Sequence, residues 1–265
     1  MRVTGKLSNP ADLPASGMLL IPLLALPAAL VTPSRFFLDT AVTSEWEALL
    51  PLGIFHGVTT NPVLLERAGV PCTLPQCRQL ADTAFELGAK EVMLQAWGGS
   101  TPALHKSGLE LSRSDRERIV VKVPVTEAGT RAAALLVDDG VRVCLTACYA
   151  AQQALVAAAV GAEYLAPYLG RMSDSGKDGL RECARMQSVV DGLARHGAAG
   201  GPGGSASEPA RTRILVASIR EVESMTALAE LGCDTFTFSP QVARDLFGES
   251  LTAAAADDFE RAARG

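Results

Sequence analysis

The chain is poor in metal ligands. It holds three histidines, His56, His105 and His196, far apart, and six cysteines, Cys72, Cys77, Cys144, Cys148, Cys183 and Cys233, none in a C-x-x-C pair. Zinc sites draw on closely spaced Cys and His, so this pattern predicts no metal. Nor do the cysteines form a disulfide framework, which points to a reducing, cytoplasmic compartment. The chain also lacks a basic run, since 24 Lys and Arg face 29 Asp and Glu for a net charge of −5. Nucleic acid is therefore excluded as a partner, because phosphate backbones are held by clustered cations. Any phosphate bound here must be held by a few local groups. The apolar run MLLIPLLALPAALV, Met18 to Val31, falls short of the roughly 20 residues a membrane span requires. Pro22 and Pro27 interrupt it further.

Residues 1–34 place Arg2 and Lys6 ahead of that run and small residues after it, the order seen in a secretory signal. They read as an extension outside the folded domain, either targeting or disordered. Organelle targeting or export through this segment is the alternative to a cytoplasmic location.

From residue 35 onward a β/α rhythm runs through the chain. Strands are expected at Phe36–Asp39, Gly57–Thr60, Glu91–Trp97, Ile119–Pro124, Val141–Thr146, Ala162–Pro167, Arg213–Ser218 and Asp234–Ser239. Helices are expected at Glu45–Leu52, Leu74–Leu87, Glu127–Asp138, up to Val160, Gly179–His196, Glu221–Leu231, from Gln241, and from Leu251. A short Pro-started helix follows the second strand. Eight such units in this length predict the α/β class, as one closed (β/α)8 TIM barrel over 35–265 with an extra C-terminal helix. The Gly-rich stretch 197–210 reads as a flexible insertion on the barrel's N-terminal rim.

The fourth strand, IVVKVPVT, carries a lysine among β-branched residues. A strand apolar on both faces is a buried one. An ammonium there is costly to bury, and the usual relief is loss of the proton, which leaves a nucleophilic amine. The innocent reading is a strand-end lysine that snorkels to water. Barrel chemistry sits at the C-terminal strand ends. Asp39, Thr60, Asn61, Gln95, Lys122, Thr146, Tyr168, Arg171 and Ser218 fall on that rim, with Arg220 two residues on. Asp39 and Asn61 are equally good helix caps, and Gln95, Thr146 and Tyr168 could be satisfied core groups. As a set they suit imine chemistry. A neutral lysine attacks a ketone, and the imine then accepts electrons from the adjacent breaking C–C bond. Asp39 and Tyr168 can move protons, the tyrosine through a water held by Gln95 and Thr146. Arg171 and Ser218 sit where barrels bind phosphate. The run GRMSDSGKD, Gly170 to Asp178, is one residue too long for a P-loop and ends in Asp178 where Ser or Thr is required.

The stretches FFLDTA, GVTTNPVLL, IVVKVPVTEAG, LTACYAAQQALVAAAVGAEYLAPYLGRM, ILVASIR and LGCDTFTFSPQV together resemble the transaldolase and fructose-6-phosphate aldolase family, in its short-chain branch. The resemblance implies a class I aldolase barrel without metal or organic cofactor, acting on sugar phosphates. It implies Lys122 as the Schiff-base lysine, Asp39 and Asn61 as the active-site acid and amide, Thr146 and Tyr168 around a catalytic water, and Arg171 and Ser218 as phosphate binders. A glutamine on the third strand, here Gln95, implies the aldolase type, since transaldolases carry glutamate there. Transaldolase in the pentose phosphate route is the second reading, and a catalytically silent sugar-phosphate-binding barrel the third. The family's C-terminal helix implies a ring homo-oligomer, a pentamer or a decamer. Trp97 and the Gly98-Gly99-Ser100 loop depart from the family pattern.

Overall fold

The computed structural model describes residues 34–198 and 212–265. Eight parallel strands, β1 (Arg35–Asp39), β2 (Phe55–Thr59), β3 (Glu91–Gln95), β4 (Ile119–Pro124), β5 (Arg142–Cys148), β6 (Tyr164–Pro167), β7 (Arg213–Ile219) and β8 (Thr235–Phe238), close into a barrel in sequence order. The expected extension lies outside the described residues apart from Ser34, and so does the Gly-rich stretch from residue 199 onward.

Helices α1 (Thr43–Leu49), α2 (Pro62–Arg67), α3 (Leu74–Glu86), α4 (Thr101–Ser112), α5 (Glu127–Asp138), α6 (Gln153–Val160), α7 (Leu169–Asp174), α8 (Gly179–Ala198), α9 (Val222–Glu230) and α10 (Pro240–Asp245) follow the strands, and α11 (Ser250–Ala263) ends the chain. Two of these correct the sequence reading. No helix was expected between the third and fourth strands. Pro102 opens α4 there behind the Ser100 cap, whose side chain accepts from Ala103 N. Gly108 lets α4 sit close against its neighbours, since a Cβ there would lie 2.8 Å from Leu136 Cδ1 and 3.2 Å from Val121 Cγ1. Helix α7 was the second omission. Six residues are too few to show a helical period.

Alternation sorts each strand into a face packed on helices and a face inside the barrel. Phe37, Met93, Val120, Cys144, Tyr164, Ala166 and Leu215 form the interior layer. Two residues further on, the same inward parity falls on Asp39, Gln95, Lys122, Thr146, Tyr168 and Ala217. The rim set is thus fixed by register above a hydrophobic floor.

Below that floor the N-terminal mouth is closed by charge. Arg142 Nη2 lies 2.7 Å from Glu91 Oε1 and 2.6 Å from Glu163 Oε1. Arg35 Nη1 lies 3.1 Å from Glu91 and also donates to the Tyr164 hydroxyl, while Tyr164 donates to Glu91 Oε2 at 2.7 Å. His56 Nε2 comes within 3.1 Å of Glu91 without a hydrogen bond of its own, so its ring acts on Glu91 through space beside the hydrogen bonds from Arg35, Arg142 and Tyr164. Burial opposes ionisation of Glu91, yet the His56 ring, Arg142 and Tyr164 outweigh it and hold the carboxyl down at about 2.

Candidate active site

Lys122 stands in the middle of β4 with every strand neighbour but Pro124 buried. It is only 3% exposed, so the snorkelling reading fails. Its Nζ donates to the Thr60 carbonyl at 3.1 Å. Above it opens a cavity of about 340 Å³ bordered by Asp39, Asn61, Tyr168, Arg171, Ser218 and Arg220, with Val63 and Leu64 as its apolar wall.

Asp39 ends β1, which pairs with β2 on one side and β8 on the other. Its Oδ1 accepts from Thr59 Oγ1 at 2.7 Å, and that hydroxyl lies 2.6 Å from Thr237 Oγ1. Thr59, fully buried and itself bonded to the buried Thr237 of β8, thus orients the Asp39 carboxylate that borders the cavity. Neither threonine was anticipated, because only the register brings residues this far apart in sequence together.

Asn61 caps α2, its Oδ1 accepting from Val63 N at 3.0 Å and Leu64 N at 3.1 Å. The two backbone donors fix the amide's orientation and reserve Nδ2 as a donor for a ligand oxygen. Capping and ligand binding are therefore compatible in one side chain.

Thr60, Gln95 and Thr146 do not border the cavity. The Thr60 hydroxyl turns to the Met93 carbonyl at 3.3 Å, while the Thr60 carbonyl accepts from Lys122 Nζ. Gln95 is the cross-strand partner of Lys122. Thr146 Oγ1 donates to the Tyr168 hydroxyl at 3.1 Å, and the Tyr168 ring is flanked edge-on by Tyr149 and covered by the Arg171 guanidinium at 5.2 Å.

Two of the later strands are distorted near their C-terminal ends. Ser218 has φ +59° and lies within a register shift between Val216 and Ile219 of β7. Ala147 repeats the pattern on β5, with φ +56° inside a shift between Leu145 and Cys148. Left-handed backbone at non-glycine residues costs on the order of 1–3 kcal/mol. At β7 it turns the Ser218 segment into the cavity wall. Arg67, at the end of α2, also borders the cavity. It was not foreseen, because a surface arginine on a helix carries no distinguishing sequence signal.

Residues 36–264 match the family model for transaldolase/fructose-6-phosphate aldolase. The chain belongs to this family. Among members it is 33% identical over 219 residues to a probable transaldolase of Rhodospirillum centenum, covering 82% of this chain and 86% of that protein. A probable transaldolase of Novosphingobium aromaticivorans is 34% identical over 221 residues, 82% of this chain and 91% of that protein. Among solved structures, a designed cube-shaped, highly porous protein cage made by fusing symmetric oligomeric domains aligns with a TM-score of 0.51. It shares 13% identity over 88% of this chain and 77% of that one, a likeness of fold alone. The family's barrel is the one described above, and no helix among the described residues is long and apolar enough to cross a membrane.

Proposed function

We propose that this family member is a class I aldolase. It reversibly cleaves a ketose phosphate into a dihydroxyacetone unit and an aldose phosphate such as glyceraldehyde 3-phosphate. The observation that carries the reading is a lysine amine, 3% exposed, beneath a cavity that also holds a carboxylate, an amide and arginines. Lys122 Nζ attacks the ketose carbonyl carbon, and the carbonyl oxygen leaves as water, carrying one proton from the amine and one taken up from solvent. The resulting iminium takes the electron pair of the adjacent C–C bond, and the proton of the cleaved alcohol passes to Asp39. Protonation of the enamine and return of water to the iminium release dihydroxyacetone. Tyr168, hydrogen-bonded to Thr146, handles that water. Asn61 Nδ2 holds a substrate hydroxyl. Arg171, Ser218 and Arg220 take the phosphate, the arginines by two-point contact.

Gln95 favours cleavage over transfer, because the resemblance places glutamate there in transaldolases and glutamine in the cleaving type; with no base at Gln95, the water that releases dihydroxyacetone is left to Tyr168. Gln95→Glu is expected to raise transfer to a second aldose phosphate relative to cleavage by about tenfold or more, a fraction of the roughly 10²–10⁴ that one acid–base group contributes. Product analysis with fructose 6-phosphate, with and without an added acceptor, measures the ratio. An unchanged ratio would put transaldolase on equal footing with cleavage, the relatives being probable transaldolases.

Self-association into a ring is part of the same reading. None of the residues of α11 is buried, and Leu251 and Phe259 are 78% and 73% exposed. Isolated helices of this length are marginal in water, which favours a second copy as its support. Light scattering of Leu251→Asp/Phe259→Asp is expected to show loss of the oligomer, and an unaltered mass would assign the interface elsewhere. All six cysteines are free thiols, which suits a reducing compartment and supports the cytoplasm as the location.

A further inference from the structure

The phosphate end of the cavity contains a carboxylate of the protein's own. Asp174 borders the cavity together with Arg171, Ser218 and Arg220. It accepts from both terminal nitrogens of Arg220, from Nη1 at 2.6 Å and also from Nη2. This is the forked, two-point contact that a phosphate makes with arginine. The Nε edge of Arg220 lies close over Gly170. A Cβ on Gly170 would lie 2.9 Å from Arg220 Nε and 2.5 Å from the Ser218 carbonyl, so the arginine lies along the start of α7. Gly170 and Asp174 are four residues apart on that helix and share a face. Gly170 lets the guanidinium lie down, and Asp174 receives its fork. The positive charge of Arg171 also acts on Asp174, whose carboxyl is held below its ordinary value first by the Arg220 hydrogen bonds and further by both arginines' charge.

We propose that Asp174 is a specificity-determining residue, an internal competitor that occupies the Arg220 fork and yields it to the phosphate of the substrate. This rests on the aldolase reading only for the identity of the substrate. The pair is suited to exchange: its side chains are 51% and 60% exposed, and such solvent-screened pairs are weak. A phosphate brings more charge to the same two-point geometry and displaces the carboxylate, at a cost in affinity. The competitor thereby keeps phosphate binding loose enough for release, and it penalises ligands whose anionic group is too weakly charged to open the pair.

Asp174→Asn tests this directly. In titration calorimetry with inorganic phosphate, the full-length variant is expected to bind roughly three- to tenfold more tightly than the parent, the size of effect open to one exposed charge. In aldol addition from dihydroxyacetone, the ratio of KM for glyceraldehyde to KM for glyceraldehyde 3-phosphate is expected to rise by the same factor, and Asp174→Glu to restore most of the parent ratio. Weaker or unchanged phosphate binding in Asp174→Asn would overturn the proposal, because it would make Asp174 a prop for Arg220 or a bystander. Calorimetry separates the two claims. Tighter phosphate binding in a protein without aldol activity would sink the aldolase reading alone. Indifferent phosphate binding in an active enzyme would sink the competitor alone.

Discussion

Lys122→Met is expected to lower kcat/KM for fructose 6-phosphate cleavage by at least about 10⁴-fold, the scale of removing a covalent nucleophile. The substitution separates chemistry from folding. Methionine matches the length of the lysine stem and brings no charge into a site that is 3% exposed, so the folded protein should be no less stable than the parent. What disappears is the amine, along with its hydrogen bond to the Thr60 carbonyl. Urea denaturation alongside steady-state kinetics checks both halves. A variant that keeps even a few per cent of the parent rate would place the nucleophile elsewhere.

Glu91→Ala is expected to have the opposite profile, a large loss of stability with turnover per folded molecule nearly intact. Glu91 is 6% exposed and receives Arg35, Arg142 and Tyr164 at once. Removing one partner of a buried ionic network costs about 3–5 kcal/mol, and Glu163 remains to hold only part of the Arg142 charge. The cost depends on pH in a defined direction. The carboxyl ordinarily titrates at 4.5 and sits at about 2 in the folded protein. Its stabilisation is therefore complete above 4.5 and is lost as pH falls from there towards 2. From that separation it amounts to on the order of 3 kcal/mol. The gap in urea midpoint between parent and Glu91→Ala should be widest at neutral pH and shrink steadily below pH 4.5. A gap that is constant with pH would mean the loss is one of packing rather than charge.

How much of this could be read from the chain differs from residue to residue. The barrel was legible because each strand is a short apolar run between turn signals and eight of them recur. Lys122 was legible because it interrupts such a run, and Asp39, Asn61 and Tyr168 because each sits just where its run ends. The Asp39–Thr59–Thr237 chain was not. Thr59 and Thr237 are 178 positions apart, and threonine is an ordinary strand residue until closure of the barrel sets it beside another. The Arg35, Glu91, Arg142, Glu163 and Tyr164 network is hidden for the same reason, since each is a lone polar residue at or beside a strand start. Asp174 and Gly170 lie in a helix too short to show a period, inside a stretch whose glycines and serines read as loop. The contact of the Thr60 carbonyl with Lys122 was not legible either, because a backbone oxygen carries no sequence signal.

The most direct measurement is borohydride reduction of the protein in the presence of dihydroxyacetone, followed by peptide mass analysis. The account predicts one three-carbon adduct, on the peptide bearing Lys122, absent without borohydride and absent in Lys122→Met. A folded, dihydroxyacetone-treated protein with no adduct, or with one on another lysine, would contradict it.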